Sequence, residues 1–247
     1  MKAIIIAAGS GKRISVKYSS LPKALIKING VTLLDRQISL LRKFQINEII
    51  VIRGPFKEKF TTSNVTYVDD TEFFAHEILA SLMEAKNYIN GDVIITYSDI
   101  IFDDKILNKI INKKADIGIA IDPNWKNAYK NRKLHPISEA ENVVYNDEKV
   151  SLIKKNITDS INNVGEFLGI LKLTKNGSRE FVRLYENLLM VHKGKFHNSY
   201  SLKKAYLTDM IQELIEKEIC VKPILISGKW YEIDTIEDLQ RAEEEIN

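Results

Sequence analysis

Short apolar runs rich in β-branched residues recur along the chain, and amphipathic stretches separate most of them. The runs predict buried strands over residues 3–6, 48–53, 65–68, 93–97, 116–121, 167–173 and 221–226. Apolar positions spaced by three and four residues predict helices over 33–44, 72–88, 105–114, 178–192 and 202–217. Strand and helix alternate over roughly the first 120 residues, a pattern typical of βαβ units with right-handed crossovers. We therefore expect an α/β fold with a mainly parallel central sheet that binds ligands beyond the C-terminal ends of its strands.

The alternation stops after Asp122. A Pro-Asn-Trp turn and a polar stretch follow, and residues 143–153 then alternate apolar and polar positions around Asn146-Asp147-Glu148, which predicts a hairpin. Thr235 with Asp238 three residues later is typical of the start of a final helix. The sequence contains no internal repeat or low-complexity linker. We therefore expect a single domain over residues 1–247, with a small β-rich insertion at about 123–165.

The composition is that of a soluble globular protein, because 45% of the 247 residues are apolar and 28% are charged. Cys220 is the only cysteine, which excludes a disulfide within the chain and a cysteine-based zinc site. The first apolar run, residues 3–8, is far shorter than the roughly 20 residues of a membrane span. We therefore expect a cytoplasmic protein that does not bind membranes. The net charge is +3 and the basic residues are scattered, so nothing favours nucleic acid as a partner.

The first strand runs directly into a glycine-rich loop, Gly9-Ser10-Gly11-Lys12-Arg13. Its glycines allow a sharp turn that points successive backbone amides inward and forms a concavity for phosphate oxygens. A P-loop is excluded, because Ile6 stands where that motif has its first glycine and Arg13 where it has Ser or Thr. A dinucleotide fingerprint fits poorly, because Ile14 stands where a small residue is required. An ordinary strand-to-loop turn is the remaining alternative.

Arg13 and the pair Pro22-Lys23 favour a phosphate site. The sequence Ala7-Ala8-Gly9-Ser10-Gly11-Lys12-Arg13, followed by Pro22-Lys23, resembles the signature of the nucleotidyltransferases. The resemblance implies a Rossmann-like three-layer nucleotidyltransferase fold. It also implies that the loop from Ala8 to Arg13 holds the β- and γ-phosphates of a nucleoside triphosphate, and that Lys23 contacts the reacting phosphates. A solvated surface lysine is the alternative for Lys23.

Two aspartates are candidates for a magnesium site. Asp99 follows a predicted strand, at the sheet edge where bound phosphates would lie. Mg²⁺ typically takes one or two protein carboxylates and completes its octahedron with phosphate oxygens and water. Residues 230–235, Trp-Tyr-Glu-Ile-Asp-Thr, resemble the closing motif of the same family, in which the aspartate completes the metal site. The resemblance therefore implies Asp234 as the second ligand, with a helix cap as the alternative.

Residues 77–82 resemble the helix start that reads the base in these enzymes. Ser81 falls where cytidylyltransferases often have a serine. An exposed serine on an amphipathic helix is the alternative. The resemblance implies that Ser81 contacts the base of the nucleotide.

The middle of the chain resembles one branch of the family. Residues 122–141 and 165–169, together with Ser98-Asp99-Ile100, are similar to cytidylyltransferases that activate phosphocholine, 2-aminoethylphosphonate or phosphoglutamine. Ser98 stands where many sugar enzymes have glycine, and their Glu-Lys-Pro motif is missing, which disfavours a sugar acceptor. Basic residues suited to a phosphate or phosphonate are Arg132, Lys154 and Lys155. Residues suited to an amine or ammonium are Asp122, Trp125, Tyr129, Glu139 and Glu166, with packing of the insertion as the alternative for the two aromatic rings.

The sequence thus predicts a CTP-dependent cytidylyltransferase that joins CMP to a small phosphonate or phosphate monoester and releases pyrophosphate. Its catalytic residues would be Arg13, Lys23, Asp99 and Asp234, and its cofactor Mg²⁺ on the two aspartates. The expected partners are CTP and the small phosphonate or phosphate, with homo-oligomerisation left open. One alternative is a sugar-1-phosphate nucleotidyltransferase that uses UTP, dTTP or CTP. Another, from a different class, is a nucleotide-binding regulatory domain that has lost catalysis.

Overall fold

The computed structural model describes residues 1–9, 14–130, 132–157 and 163–246. Its α-helices within these ranges are α1 (Leu33–Lys43), α2 (Ile78–Glu84), α3 (Asp104–Asn112), α4 (Lys175–Val191), α5 (Leu207–Glu216) and α6 (Ile236–Glu245). Its strands there are β1 (Lys2–Ala7), β2 (Lys27–Ile28), β3 (Val31–Thr32), β4 (Glu48–Arg53), β5 (Thr66–Asp69), β6 (Val93–Tyr97), β7 (Ile100–Phe102), β8 (Ile117–Asp122), β9 (Glu141–Tyr145), β10 (Val150–Lys155), β11 (Val164–Leu173), β12 (Val221–Leu225) and β13 (Trp230–Glu232). Short 3-10 helices occupy several of the connections.

The main sheet has the strand order β10-β9-β11-β6-β1-β4-β5, and β8 and β12 extend it beside β11. Strands β6, β1, β4 and β5 run parallel to one another, as do β8 and β12. Strand β11 is antiparallel to its neighbours β6, β8 and β9. The predicted α/β fold with a mainly parallel sheet is therefore confirmed, with antiparallel pairing concentrated around β11. The predicted hairpin is present as β9 and β10.

Helices cover both faces of the sheet. Along β1, Ile4 and Ile6 pack in one apolar cluster with residues of α2, α4 and α5. Ala3 and Ile5 point to the opposite face, into a cluster with residues of α1 and α3. Because alternate residues of a strand face opposite sides of a sheet, this continuous apolar run forms two cores at once. The three-layer arrangement expected from the resemblance is confirmed.

The long strand β11 bends at Gly169. The register of β11 against β8 shifts between Phe167 and Leu171, which flank this glycine. Gly169 has a φ of +68°, and a Cβ added there would lie 2.3 Å from the ring of Tyr97. Only glycine therefore allows the strand to bend against Tyr97 at the end of β6.

Two predicted helices are shorter than their apolar spacing indicated. The helix predicted over 72–88 begins only at Ile78, because residues 70–77 form a loop in which Asp70 Oδ1 accepts a hydrogen bond from Glu72 N at 3.1 Å. The helix predicted over 202–217 is divided into the 3-10 helix Leu202–Lys204 and α5, where Asp209 caps the start of α5. In both cases a carboxylate hydrogen-bonds the backbone and fixes a non-helical turn. Within the described ranges, no helix is both long and apolar enough to cross a bilayer.

Candidate active site

A cleft of about 1290 Å³ opens at the C-terminal ends of the parallel strands. Gly9 follows β1, Gly54 follows β4, Asp70 follows β5 and Asp99 follows β6, and all of them line the cleft. This is the edge of the sheet at which the sequence predicted ligand binding. Residues from β9, β10 and β13 also line the cleft, so the insertion and the C-terminal segment complete its walls.

Lys23 lies between the two aspartates that the sequence selected as metal ligands. Its Nζ donates to Asp99 Oδ2 at 2.6 Å and also to Asp234 Oδ1. The side chain of Lys23 is only 6% exposed. Its backbone N donates to Gly9 O at 3.1 Å, which holds the lysine against the loop that follows β1. The structure thus brings Gly9, Lys23 and both carboxylates to one place.

A small two-stranded sheet brings Asp234 next to Asp99. Strand β13 pairs with β7, and Ile233 N donates to Asp99 O at 3.0 Å. Asp238 then accepts hydrogen bonds from the backbone N of Asp234 at 3.1 Å and of Thr235 at 2.9 Å. This capping box starts α6 and fixes the backbone that carries Asp234.

The charges around Lys23 oppose the effect of its burial. Burial lowers the pKa of Lys23, but the negative charges of Asp99 and Asp234 raise it, and the resulting pKa lies above the ordinary value. Lys23 is therefore an ammonium ion at neutral pH. It supplies a fixed positive charge beside Gly9.

The two carboxylates also have the chemistry of a Mg²⁺ site. Both offer the hard oxygen ligands that this cation prefers. Asp99 Oδ1 is buried and has no hydrogen-bond partner among the described residues. Because an unpartnered buried carboxylate oxygen costs free energy, this atom favours a cation as its ligand. The residues present therefore fit a divalent cation held by Asp99 and Asp234.

Part of the predicted phosphate loop lies outside the described residues, namely Ser10, Gly11, Lys12 and Arg13. Ala8 and Gly9, which begin the loop, line the cleft. A Cβ on Gly54 would lie 2.8 Å from Ala8 O, so a glycine at the end of β4 is needed for the close approach of the two loops.

Ser81 lines the cleft next to a buried aspartate and a histidine. Ser81 Oγ donates to Asp70 Oδ2 at 2.7 Å, and His76 Nε2 lies 2.9 Å from each oxygen of Asp70. The carboxylate lies between the other two residues, so the arrangement differs from a Ser-His-Asp nucleophile, in which the histidine is central. The sequence analysis missed Asp70 and His76, although the position of Asp70 directly after β5 was a signal comparable to that of Asp99.

Glu139 and Lys155 are the predicted acceptor residues that line the cleft. Lys155 Nζ donates to Glu139 Oε2 at 2.6 Å. Burial lowers the pKa of Lys155, but this hydrogen bond and the charge of Glu139 raise it above the ordinary value. Glu141 and Glu232 also line the cleft, and the sequence analysis missed both. Burial raises the pKa of Glu141 to about 7 and that of Glu232 well above its ordinary value.

The other predicted acceptor residues are not part of the cleft lining. Asp122 accepts a hydrogen bond from Trp230 Nε1 at 2.8 Å, and the Tyr129 hydroxyl donates to Glu166 Oε1. The rings of Trp125 and Tyr129 are buried and pack edge to face at 5.7 Å. Both rings thus pack within the insertion, which was the alternative to binding an amine or ammonium. The members of this set are Asp122, Trp125, Tyr129, Arg132, Lys154 and Glu166, of which Lys154 is exposed to solvent.

Arg132 does not present its guanidinium to the cleft. The side chain is 1% exposed and forms an ion pair of 2.8 Å with Asp238 on α6. Its guanidinium also lies 4.9 Å from the centre of the Tyr129 ring, which in turn packs against His135 at 5.7 Å. His135 lines the cleft, and its Nδ1 lies 3.5 Å from Asp234 Oδ2. Arg132 and Tyr129 therefore form a wall behind His135, and Asp238 already neutralises the charge that the sequence analysis assigned to an acceptor.

The resemblance to the nucleotidyltransferases predicts a triphosphate site built from a glycine loop, a lysine and two aspartates. In the described residues, Lys23 is hydrogen-bonded to Gly9 and lies between Asp99 and Asp234. The chain matches the MobA-like NTP transferase domain over residues 3–155, which is more than half of its length. The protein therefore belongs to the MobA-like NTP transferase family, and its assignment as a nucleotidyltransferase is confirmed.

Individual relatives agree with this assignment. The CTP:phosphoglutamine cytidylyltransferase of Campylobacter jejuni is 28% identical over 260 residues, which cover 97% of this chain and 98% of the relative. The bifunctional protein GlmU of Methanococcus aeolicus is 28% identical over 251 residues, which cover 98% of this chain but 53% of the relative. The solved structure of CTP:phosphocholine cytidylyltransferase from Streptococcus pneumoniae has a TM-score of 0.75 at 22% identity, covering 100% of this chain and 99% of that chain. The resemblance to the headgroup cytidylyltransferases and the predicted fold are thereby confirmed.

Proposed function

We propose that this protein transfers CMP from CTP to a small phosphate or phosphonate monoester and releases pyrophosphate. The observation that carries the proposal is the position of Lys23 between Asp99 and Asp234, in a cleft bordered by Gly9. Similarity over nearly the whole length of a CTP:phosphoglutamine cytidylyltransferase supports CTP as the donor. We infer a single domain over residues 1–247, whose insertion at about 123–165 contributes to the acceptor half of the cleft.

In the proposed reaction, an oxygen of the acceptor's phosphate or phosphonate attacks the α-phosphorus of CTP in line. A new phosphorus–oxygen bond forms, the bond from the α-phosphorus to the bridging oxygen breaks, and pyrophosphate leaves with the electron pair. The attacking oxygen is already an anion, so the reaction needs no strong general base. The protein must instead hold two anions close together and offset their charge.

The described residues can meet this requirement. Lys23 is hydrogen-bonded to Gly9, the first glycine of the loop that we propose for the triphosphate, and its ammonium would offset negative charge on the phosphates. Arg13 and the rest of the loop are proposed to act on the same phosphates. Asp99 and Asp234 would hold Mg²⁺, which when bound neutralises charge between the two reacting anions.

The acceptor half of the cleft favours a substrate that carries an amine or ammonium group. Glu139 and Glu141 both line this half, and Lys155 is the basic residue beside them. Glu141 has a pKa of about 7 because burial disfavours its charge, and a cation bound next to it would stabilise the ionised carboxylate. We propose that these glutamates receive the amine and that Lys155 contacts the phosphate or phosphonate. Trp125, Tyr129 and Arg132 would support this pocket from behind through His135.

A panel of nucleotides and acceptors tests the function. CTP, UTP, dTTP, ATP and GTP would each be combined with phosphocholine, 2-aminoethylphosphonate, 2-hydroxyethylphosphonate and glucose 1-phosphate, and pyrophosphate release measured. We expect turnover with CTP and an aminoalkyl or choline-type acceptor. Phosphocholine should react faster than its uncharged isostere 3,3-dimethylbutyl phosphate, and Glu141→Gln should reduce that preference.

The same assay separates the alternatives. The similarity to GlmU, which covers about half of that protein, supports a sugar 1-phosphate as the second candidate acceptor. A sugar 1-phosphate as the best substrate would therefore replace the headgroup proposal, and no pyrophosphate release with any pair would favour a regulatory domain.

The proposed metal ligands are tested separately. Asp99→Asn and Asp234→Asn should each abolish turnover with Mg²⁺. Asp147→Asn, in the exposed hairpin turn, serves as the matched control.

A further inference from the structure

The loop after β5 carries a buried polar cluster whose hydrogen bonds fix the direction of one hydroxyl group. The side chain of Asp70 is 0% exposed and that of His76 is 6% exposed. Oδ1 of Asp70 accepts from the backbone N of Glu72 at 3.1 Å, and Oδ2 accepts from Ser81 Oγ at 2.7 Å. His76 Nε2 lies 2.9 Å from both oxygens. Each oxygen of Asp70 therefore faces donors.

The contacts of Asp70 determine how Ser81 can meet a ligand. Ser81 Oγ is the donor in its hydrogen bond to Asp70 Oδ2. The single hydroxyl hydrogen of Ser81 must therefore point to Asp70 Oδ2. Because a hydroxyl has one hydrogen and two lone pairs, only its lone pairs remain for the cleft that Ser81 lines. Ser81 is thus an acceptor, and not a donor, toward a ligand in this half of the cleft.

Cytosine and uracil differ at the position that such an acceptor would recognise. The amino group on C4 of cytosine donates hydrogen bonds, whereas the oxygen on C4 of uracil or thymine only accepts them. A fixed acceptor forms a bond with cytosine and faces the lone pairs of uracil. A site that leaves a buried polar group unpaired rejects the wrong ligand far more strongly than a site that loses only apolar contact.

The place of Ser81 in the fold suits a contact with the base. Asp70 follows β5 at one edge of the sheet, and Asp99 follows β6, with β1 and β4 between these two strands. Three spacings of roughly 4.8 Å put the two strand ends about 14 Å apart. Since phosphate chemistry is expected at Lys23 and Asp99, the opposite end of the cleft is left for the base of an extended nucleotide.

We propose that Asp70 fixes Ser81 as an obligate hydrogen-bond acceptor and that this pair selects cytosine over uracil and thymine. The inference rests on the proposed use of CTP and identifies the residues that would enforce it. Ser81 is the specificity-determining residue because it would touch the base. Asp70 is a positioning residue that acts through Ser81.

The test compares kcat/KM for CTP and UTP in a set of variants. Ser81→Ala removes the acceptor and should lower the CTP to UTP ratio at least about tenfold, chiefly through a loss with CTP. Asp70→Asn should also lower the ratio, and it should raise kcat/KM for UTP. The backbone N of Glu72 would hold the amide oxygen of the new asparagine, so its NH₂ would face Ser81 and turn the hydroxyl hydrogen toward the cleft. Asp69→Asn, which removes the neighbouring carboxylate that pairs with Arg53 and Lys57, is the matched control and should leave the ratio unchanged.

The double variant distinguishes positioning from a general structural effect. If Asp70 acts through Ser81, then Asp70→Asn added to Ser81→Ala should leave the ratio of Ser81→Ala unchanged. An equal change in both backgrounds would overturn the role of Asp70. An analogue of CTP that lacks the amino group on C4 of the base provides a second measurement. This measurement does not depend on whether Asp70→Asn folds. Wild-type protein should prefer CTP to this analogue, and Ser81→Ala should lose most of that preference.

The outcomes also separate this inference from the proposed function. A wild-type protein that turns over CTP no faster than UTP would overturn both. A wild-type protein that prefers CTP, combined with an unchanged ratio in Ser81→Ala, would overturn the inference alone.

Discussion

Glu166→Gln should make the protein less sensitive to alkaline pH. Glu166 lies on β11, its side chain is buried, and one of its oxygens accepts from the Tyr129 hydroxyl. The other oxygen, Oε2, is buried without a hydrogen-bond partner among the described residues. Burial raises the pKa of Glu166 to about 8, although the Tyr129 hydroxyl and the Arg132 charge act in the opposite direction. The folded protein therefore keeps this carboxyl group protonated at neutral pH.

The sign and size of the effect follow from proton linkage. In the unfolded chain Glu166 has its ordinary pKa of 4.5, so between that pH and about 8 the folded state binds a proton that the unfolded state has lost. The stabilising contribution is complete below pH 4.5 and is lost as the pH rises toward 8. At about 1.4 kcal/mol per pH unit the full loss has a ceiling of about 5 kcal/mol, and relaxation around the charge reduces it. We expect the unfolding free energy of the wild type to fall by about 2 to 5 kcal/mol over this pH range because of Glu166. The variant should not show this contribution.

Urea denaturation at pH 5, 6, 7, 8 and 9 measures this effect. The quantity of interest is the unfolding free energy of Glu166→Gln minus that of the wild type, because other titrating groups cancel in this difference. It should rise steadily from pH 5 to pH 8 and then level off. Glu148→Gln, in the exposed hairpin turn, should give a difference that does not change with pH. A flat difference for Glu166→Gln as well would show that Glu166 ionises normally and is in contact with water, and the argument from burial would then be refuted.

Two further variants test residues whose roles the structure distinguishes. Lys23→Ala should lower kcat for pyrophosphate release by roughly a hundredfold at saturating CTP, because a fixed charge near the reacting phosphates would be lost. Lys27→Ala, on the exposed face of β2, is the control and should leave kcat unchanged. An effect on KM alone would contradict a role for Lys23 in the transition state. Arg132→Ala should lower the unfolding free energy by about 3 to 5 kcal/mol, because it leaves Asp238 buried without its ion-pair partner. Arg183→Ala, which removes an exposed arginine, is the control in the same urea titration and should have little effect. Unchanged stability together with a raised KM for the acceptor would instead put the Arg132 guanidinium at the substrate.

The parts of the site that could be predicted from sequence are those that lie at the ends of regular elements. Asp99 was predictable because it follows an unmistakable buried strand, and Lys23 because it follows Pro22 shortly after a glycine loop. The resemblance to a family motif added Asp234. The structure then showed that β13 pairs with β7, a contact between distant segments that no local pattern indicates.

The residues that sequence reasoning missed or misplaced depend on such distant contacts. His76 lies within the stretch 72–88, whose apolar spacing predicted a helix, and Asp70 lies two residues before it. Their pairing depends on the loop that residues 70–77 form instead. Arg132 looked like an available cation because its partner, Asp238, is on the last helix. A charge in an insertion can serve a ligand or a buried ion pair equally well, and only the fold decides between the two.

The hydrogen bond between Lys23 and Asp234 joins positions that are 211 residues apart in the sequence. A ribosome releases the chain from its N-terminus, so the glycine loop, Lys23 and Asp99 emerge long before Asp234 has been synthesised. The segments of β1, β4, β5 and β6 are also synthesised by then, but the nascent chain still lacks one of the two carboxylates that the proposed chemistry requires. If the proposed chemistry holds, catalytic competence would therefore arise only after Asp234 has been synthesised, and a protein truncated before Asp234 would lack a carboxylate of the proposed metal site.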